Sequence, residues 1–309
     1  MGVDGRHIHV FLAWVRWHLS WETAVIIHEN VVNFDIALLQ YFMGSWYHIF
    51  WVERGPEDVG FPFCRRRRRY VALIHKVKMR ILHNPEFIFA RVCSFLRCEA
   101  RVEDLVMADP REVQYEAQAL CHDRGICMQS MAGAVGMDAR SDGHIGLQVV
   151  ARAATGSTPT EVATNVANLS CALTNKEKER LEAYMRMWRS RFGTDASYHR
   201  GLVFNLGDNP DGGWVTWSAP SSRHGHFCIP TLRRAWTALW FPSLNRWMTI
   251  KERLTMMGFP AYASLARTYR LNSTFSLPWH TGKQTIGNGM HLANVGVWQA
   301  VVAACVMRK

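Results

Sequence analysis

None of the eight cysteines in this 309-residue chain forms a C-x-x-C pair. A zinc site therefore has no local signature. Scattered cysteines in a chain of this length suit free thiols in a reducing compartment. No apolar run reaches the roughly 18 residues that a membrane span needs. Residues 11–21 are apolar and tryptophan-rich, but Arg16, His18 and Ser20 interrupt them. They also lack the small-residue cleavage site of a signal peptide. A G-x-G-x-x-G cradle is missing too. Gly133, Gly136, Gly143 and Gly146 punctuate residues 128–146, which read as a loop. Negative charge is in short supply: 25 Asp+Glu face 36 Lys+Arg, a net +11. That balance makes a polyanion a plausible partner, nucleic acid first.

The chain is organised around residues 24–31, Ala-Val-Ile-Ile-His-Glu-Asn-Val. The short apolar run suits a buried strand, with a buried helix segment as the alternative. Glu29 and Asn30 then sit just past the strand's carboxyl end, the rim where open α/β sheets bind ligands. Phe11, Trp14, Val15 and Leu19 share a helical face before it. Residues 34–42 read as a second helix ended near Gly44, and residues 47–52 as a strand.

Gly60-Phe61-Pro62 leads into five arginines, 65–69, which run directly into the apolar strand 71–75. Such a run is a solvated patch, a nuclear-localisation signal, or a strand-bound set with at least two arginines turned into a site. Arginine suits the last role because its planar fork makes paired hydrogen bonds to phosphate or to a base edge.

Residues 79–116 carry mixed helical signals, with Pro110 as a break. Residues 154–161 are linker-like. Thr174 and Glu177 form a capping box at the start of a helix running to Gly193. Its lysines and arginines mark either a solvated face or a contact to a DNA backbone. Residues 214–217 alternate like a strand. Thr249 and Glu252 repeat the capping box. Gly287-Asn288-Gly289 reads as a turn feeding the apolar helix 295–306, with free N–H groups for an anion or carboxylate.

In order, these pieces resemble the C-terminal half of the cytosine-C5 DNA methyltransferase family. Glu29-Asn30-Val31 is similar to its Glu-Asn-Val motif. Gly60-Phe61-Pro62 with the arginines is similar to Gly-x-Pro-Gln-x-Arg-x-Arg, with Phe63 in place of Gln. Pro230-Thr231-Leu232 resembles the element closing its target-recognition region. Arg246, Thr249, Glu252 and Gly258-Phe259-Pro260 resemble Arg-x-x-Thr-x-x-Glu…Gly-Phe-Pro. Gly287-Asn288-Gly289-Met290 resembles the closing Gly-Asn-Ser/Ala-Val.

The resemblance implies an α/β fold: an incomplete Rossmann-like methyltransferase sheet with an inserted α+β target-recognition region. Residues 1–80 would be the back half of the catalytic domain. Residues 81–230 would be the recognition region, and 231–309 would return to the catalytic domain. It implies roles as well. Glu29 would bind a flipped cytosine at N3 and the amino group, and Arg65 and Arg67 would contact the base carbonyl and order the catalytic loop. Asn30, Val31 and Thr231 would line the substrate site. Gly287, Asn288 and Gly289 would help close over S-adenosylmethionine, the methyl donor. The partner would be DNA, with RNA as the alternative, and the location nuclear, otherwise cytoplasmic. No metal and no membrane are implied.

The departures are equally specific. The family's nucleophile sits in a Pro-Cys loop, and this sequence has no Pro-Cys dipeptide and no cysteine before Cys64. The Asp-Leu-Phe-x-Gly-x-Gly donor loop is absent, and 28 residues precede Glu29. The expectation is a methyltransferase-like fragment that does not turn over alone. Exposed strand edges would make it poorly soluble. The rival reading is a non-catalytic basic module that binds nucleic acid through the arginine run and the 174–193 helix.

Overall fold

A computed structural model describes residues 8–96, 101–126, 169–213, 215–220, 227–233, 237–268, 270–271 and 277–309. The readings of 128–146 as loop and 154–161 as linker fall outside these residues. The described residues mix α and β structure, with small antiparallel sheets and no closed barrel. They divide into two units. Unit 1 comprises residues 1–101, 256–259 and 288–309, and unit 2 comprises 102–255 and 260–287. The sequence segments expected above were 1–80, 81–230 and 231–309. In the structure residues 231–255 and 260–287 belong with unit 2.

Unit 1 is built on three strands. These are β1 (Val25–Asn30), β2 (Tyr47–Arg54) and β3 (Arg68–His75), in the order β1-β3-β2 and antiparallel throughout. β-Branched residues open β1, as a pleated, half-buried surface favours. The strand does not stop before Glu29. β3 reaches back to Arg68, so Tyr70 and Arg69 pair with Glu29 and Asn30 and carry the ladder two residues further than expected.

β3 is central, and residues 70–74 are wholly buried. Its alternate residues feed two cores. Val71 and Leu73 pack with Val15 of helix α1 (Ile8–Ser20) and with Leu39 and Met43 of α2 (Ile36–Met43). Tyr70 and Ala72 pack with Phe89 of α3 (Pro85–Phe95) and with Trp298 and Val302 of the C-terminal helix, Leu292–Cys305. Phe89 and Trp298 meet edge to face at 5.2 Å. A strand covered on both faces reads as a continuous apolar run, which explains Tyr-Val-Ala-Leu-Ile. After the C-terminal helix, Val306–Arg308 pairs with β4 (Met79–Ile81).

Unit 2 contains helices α4 (Pro110–Arg124), α5 (Asn175–Phe192), α6 (Ile250–Met256), α7 (Ala263–Thr268) and α8 (Trp279–Asn288). The last residues of α6 and α8, Met256 and Asn288, fall in unit 1. Pro110 starts a helix instead of breaking one. The Asp109 carboxylate accepts the Glu112 N–H at 2.8 Å, and proline takes the first helical position, where an N–H is not needed. Both expected capping boxes form, Thr174 with Glu177 and Thr249 with Glu252. A small sheet joins Phe204–Asn205, Leu239–Phe241 and Arg246–Trp247. Of the expected 214–217 strand, Trp217 makes a single bridge to Phe204, and Trp214 lies outside the described residues.

Candidate functional site

Side chains on a strand alternate between faces, so the position of Tyr70 decides which arginines face Glu29. Glu29 is directly opposite Tyr70 on the neighbouring strand, and directly paired residues share a face. Arg68 is two residues before Tyr70, and Arg66 is four before it. The Arg68 Nε lies 3.2 Å from Glu29 Oε1, with the two side chains only 19% and 12% exposed. Arg66 is buried, and its guanidinium donates to the Gly289 carbonyl at 2.5 Å. The structure thus brings Glu29 together with Arg66 and Arg68. Arg65 and Arg67 are exposed on the other parity. Arg69 turns to the opposite face, where it donates to Glu53 at 3.1 Å and lies over the Trp51 ring.

The resemblance implies Arg65 and Arg67, whose positions follow from counting forward from Pro62. Counting back in twos from Tyr70, the first fully buried residue of the strand, identifies Arg66 and Arg68. Five identical residues carry no periodicity of their own, so only the flanking strand reveals the parity.

Burial raises the Glu29 carboxyl above the usual carboxylate range, and the Arg66 and Arg68 guanidiniums oppose that shift. Burial and the nearby Arg68 lower Arg66. Burial also raises the Tyr70 phenol, while the Asn294 amide beside it acts the other way. Several polar atoms here have no well-aligned hydrogen bond. They are Glu29 Oε1, Tyr70 Oη and both side-chain polar atoms of Asn294. Buried polar atoms left in this condition are costly, and each needs an explanation such as water or a ligand. The site can offer an acid that gives or takes a proton, next to guanidinium donors.

The other expected residues are placed as follows. Asn30 uses its side-chain oxygen to accept the Val31 N–H at 2.8 Å, and Val31 is exposed. Thr231 is exposed and lies in unit 2, while Glu29 lies in unit 1. Gly287 and Asn288 close helix α8 instead of opening the next helix. The C-terminal helix starts at Leu292 with His291 as its cap; the His291 Nδ1 accepts the Asn294 N–H at 3.4 Å. Cys64, beside the arginine run, is 1% exposed and closed to solvent.

In unit 2 the Arg-x-x-Thr-x-x-Glu residues form one buried network. Arg246 donates to both oxygens of Glu252, at 2.7 and 2.8 Å, and the Thr249 N–H donates to the same carboxylate at 2.9 Å.

Among the described residues no group of three or more His, Cys, Asp or Glu could hold a metal ion. None of their helices is long and apolar enough to cross a membrane. No protein-family model matches the chain, and no characterised protein matches it significantly.

Proposed function

We propose that this chain is a cytosine-C5 DNA methyltransferase-like module that binds nucleic acid and holds an extruded cytosine at Glu29. The observation that carries the reading is the meeting of three remote motifs. Glu29 pairs with Arg68, and the buried Arg66, two residues before β3 begins, reaches the carbonyl of Gly289. These are the Glu-Asn-Val, arginine and Gly-Asn-Gly motifs of the resemblance. Arg66, Arg68 and Arg69 make folded contacts, which argues against a disordered localisation signal.

The chemistry fits a cytosine edge. Cytosine offers an amino donor, which a Glu side chain accepts. A carboxyl whose proton is favoured by burial also donates to the adjacent ring nitrogen. The guanidiniums supply donors for the base carbonyl. An enzyme or binder reaches these atoms only on a flipped or single-stranded base. The Rossmann-like fold has less support: the sheet is antiparallel throughout, but β1 and β2 run in the same direction on either side of β3, and helices cover both faces.

S-adenosylmethionine is the donor that the resemblance implies. Gly287 and Asn288 end a helix, which presents carbonyl groups instead of N–H groups, and the Gly289 carbonyl is already taken by Arg66. These residues do not form an anion cradle for the donor. No methyl-transfer step is assigned to them, and the sequence has no Pro-Cys nucleophile.

The test is fluorescence anisotropy of the purified chain with single-stranded DNA carrying one cytosine, against the same strand with an abasic site there. We expect a preference for cytosine and steep salt dependence. Glu29→Gln and Arg68→Ala should remove the preference. Arg67→Ala should weaken binding to both strands equally. Binding indifferent to Glu29→Gln and Arg68→Ala would overturn the reading. Methylation of cytosine-containing DNA by this chain with labelled donor would overturn its catalytic inertness.

A further inference from the structure

Unit 2 has a half-open pocket of about 370 Å³ beside helix α4, at the start of α6, with Tyr115 exposed at its rim. It is far larger than the share of liquid volume of one water, about 30 Å³. Glu112 and Glu116 lie four residues apart on α4 and so share a helix face. The Glu112 carboxylate is fully engaged. Its Oε1 accepts the Thr249 and Tyr262 hydroxyls, both at 3.1 Å, and Lys251 Nζ stands 3.4 Å from Oε2. Glu116 differs. Its Oε1 accepts the Ile250 N–H at 2.6 Å, and its Oε2 has no hydrogen-bond partner although the residue is only 5% exposed. Ile250 and the buried Trp279 supply an apolar wall.

We propose that this cavity binds a primary ammonium group on a short aliphatic stem, with the nitrogen at Glu116 Oε2 and the stem against Trp279. The unpartnered acceptor favours such a ligand, because Glu116 Oε2 takes a donor and the other lining carboxylate, Glu112, is already engaged. Arg253 on α6 acts on Glu116 from behind the lining, so the ligand is chosen by that acceptor and not by a net charge of the pocket. A dication would meet Arg111 and Lys251. An ammonium hydrogen bond to a buried carboxylate is charge-assisted and strong.

Binding should carry a proton signature. Burial pushes the empty-site Glu116 up to about 8, so near neutrality it is mostly protonated. The groups that face it are Glu112 on its own helix, and Glu252 and Arg253 on α6. An ammonium requires the carboxylate, so the Glu116 proton leaves to buffer when the ligand enters.

The experiment is titration of the full chain with n-butylammonium at pH 7, by calorimetry in two buffers of different ionisation enthalpy. We expect saturable binding near about 1 mM, reasonable for so few ligand atoms. Most of one proton should be released per ligand. Glu116→Gln should weaken binding by about 10- to 100-fold, as for a lost hydrogen bond to a charged group, and should abolish proton release. Leu277→Trp narrows the cavity without touching Glu116 and should also block binding, with circular dichroism unchanged. If Glu116→Gln fails to fold, Leu277→Trp decides. Absence of saturable binding, or binding that survives either folded variant, overturns the proposal.

Discussion

Each unit contains a glutamate paired with an arginine, and the two pairs are finished to different degrees. In unit 2, Arg246 and Glu252 meet through two parallel hydrogen bonds, are 4% and 0% exposed, and share a helix cap. Little remains for a ligand to satisfy. In unit 1, Arg68 approaches Glu29 from one side, that carboxylate oxygen lacks an aligned hydrogen bond, and burial raises its affinity for a proton. The residue types are the same. Satisfaction distinguishes them, because a completed buried pair fixes a fold and an incomplete one keeps binding capacity.

One substitution made twice separates the two pairs. Glu252→Gln should destabilise unit 2 by about 3–5 kcal/mol, since it leaves Arg246 buried without its counter-charge. Urea denaturation measures this. The difference from Glu29→Gln is the quantity that matters. That change should alter stability by no more than about 1 kcal/mol, because the pair is partly exposed and its acid is already disfavoured as an anion. Equal losses in both units would erase the distinction.

Acidity should drive the two units in opposite directions. Burial holds His28 and His291 down to about 4 and about 3, and Arg66 adds to the effect on His291. Their stabilisation is present above the ordinary histidine value and is lost as pH falls toward those values. Protonating the His291 Nδ1 also removes the cap of the C-terminal helix. Glu116 is the reverse case. Its contribution is complete below its ordinary value of 4.5 and is lost as pH rises through about 8. Each group acts with a slope of up to about 1.4 kcal/mol per pH unit inside its window. Glu29, itself raised, offsets part of the histidine effect in unit 1. Unfolding followed between pH 5 and 8 should show a unit 1 transition that strengthens and a unit 2 transition that weakens. His291→Gln should flatten the first, and Glu116→Gln the second.

A smaller effect sharpens the role of the completed pair. Thr249→Ala removes the hydroxyl that accepts the Glu252 N–H at 3.3 Å and donates to Glu112. A lost cap costs about 1 kcal/mol, measurable as a shift in urea midpoint.

Much of this was legible in the residues. The two capping boxes, the apolar run of β3 and the helix expected over 34–42, found at Ile36–Met43, follow from local chemistry that tertiary packing does not override. Other features depend on what the chain meets elsewhere. The faces of Arg65 to Arg69 are set by the partner strand, since each residue is identical to its neighbour. Gly287-Asn288 suggested a helix start, but the residues before it from Trp279 onward form the helix that it ends. Pro110 looks like a break only when taken alone; with Asp109 before it as the cap, it is a first helical residue. The Glu112 and Glu116 cavity had no sequence signal, because it depends on α6 arriving from more than a hundred residues away.

The connectivity of unit 1 bears on its synthesis. Trp298, fully buried against Phe89, and the strand pairing with β4 come from the last stretch of the chain. Residues 102–287 lie between them and most of the rest of unit 1. At about 5–20 residues per second, a ribosome needs ~10–40 s to traverse that interval. During it the nascent β3 and α3 surfaces wait without their covering helix, so a chaperone that shields apolar segments at the exit tunnel should raise the yield of folded product.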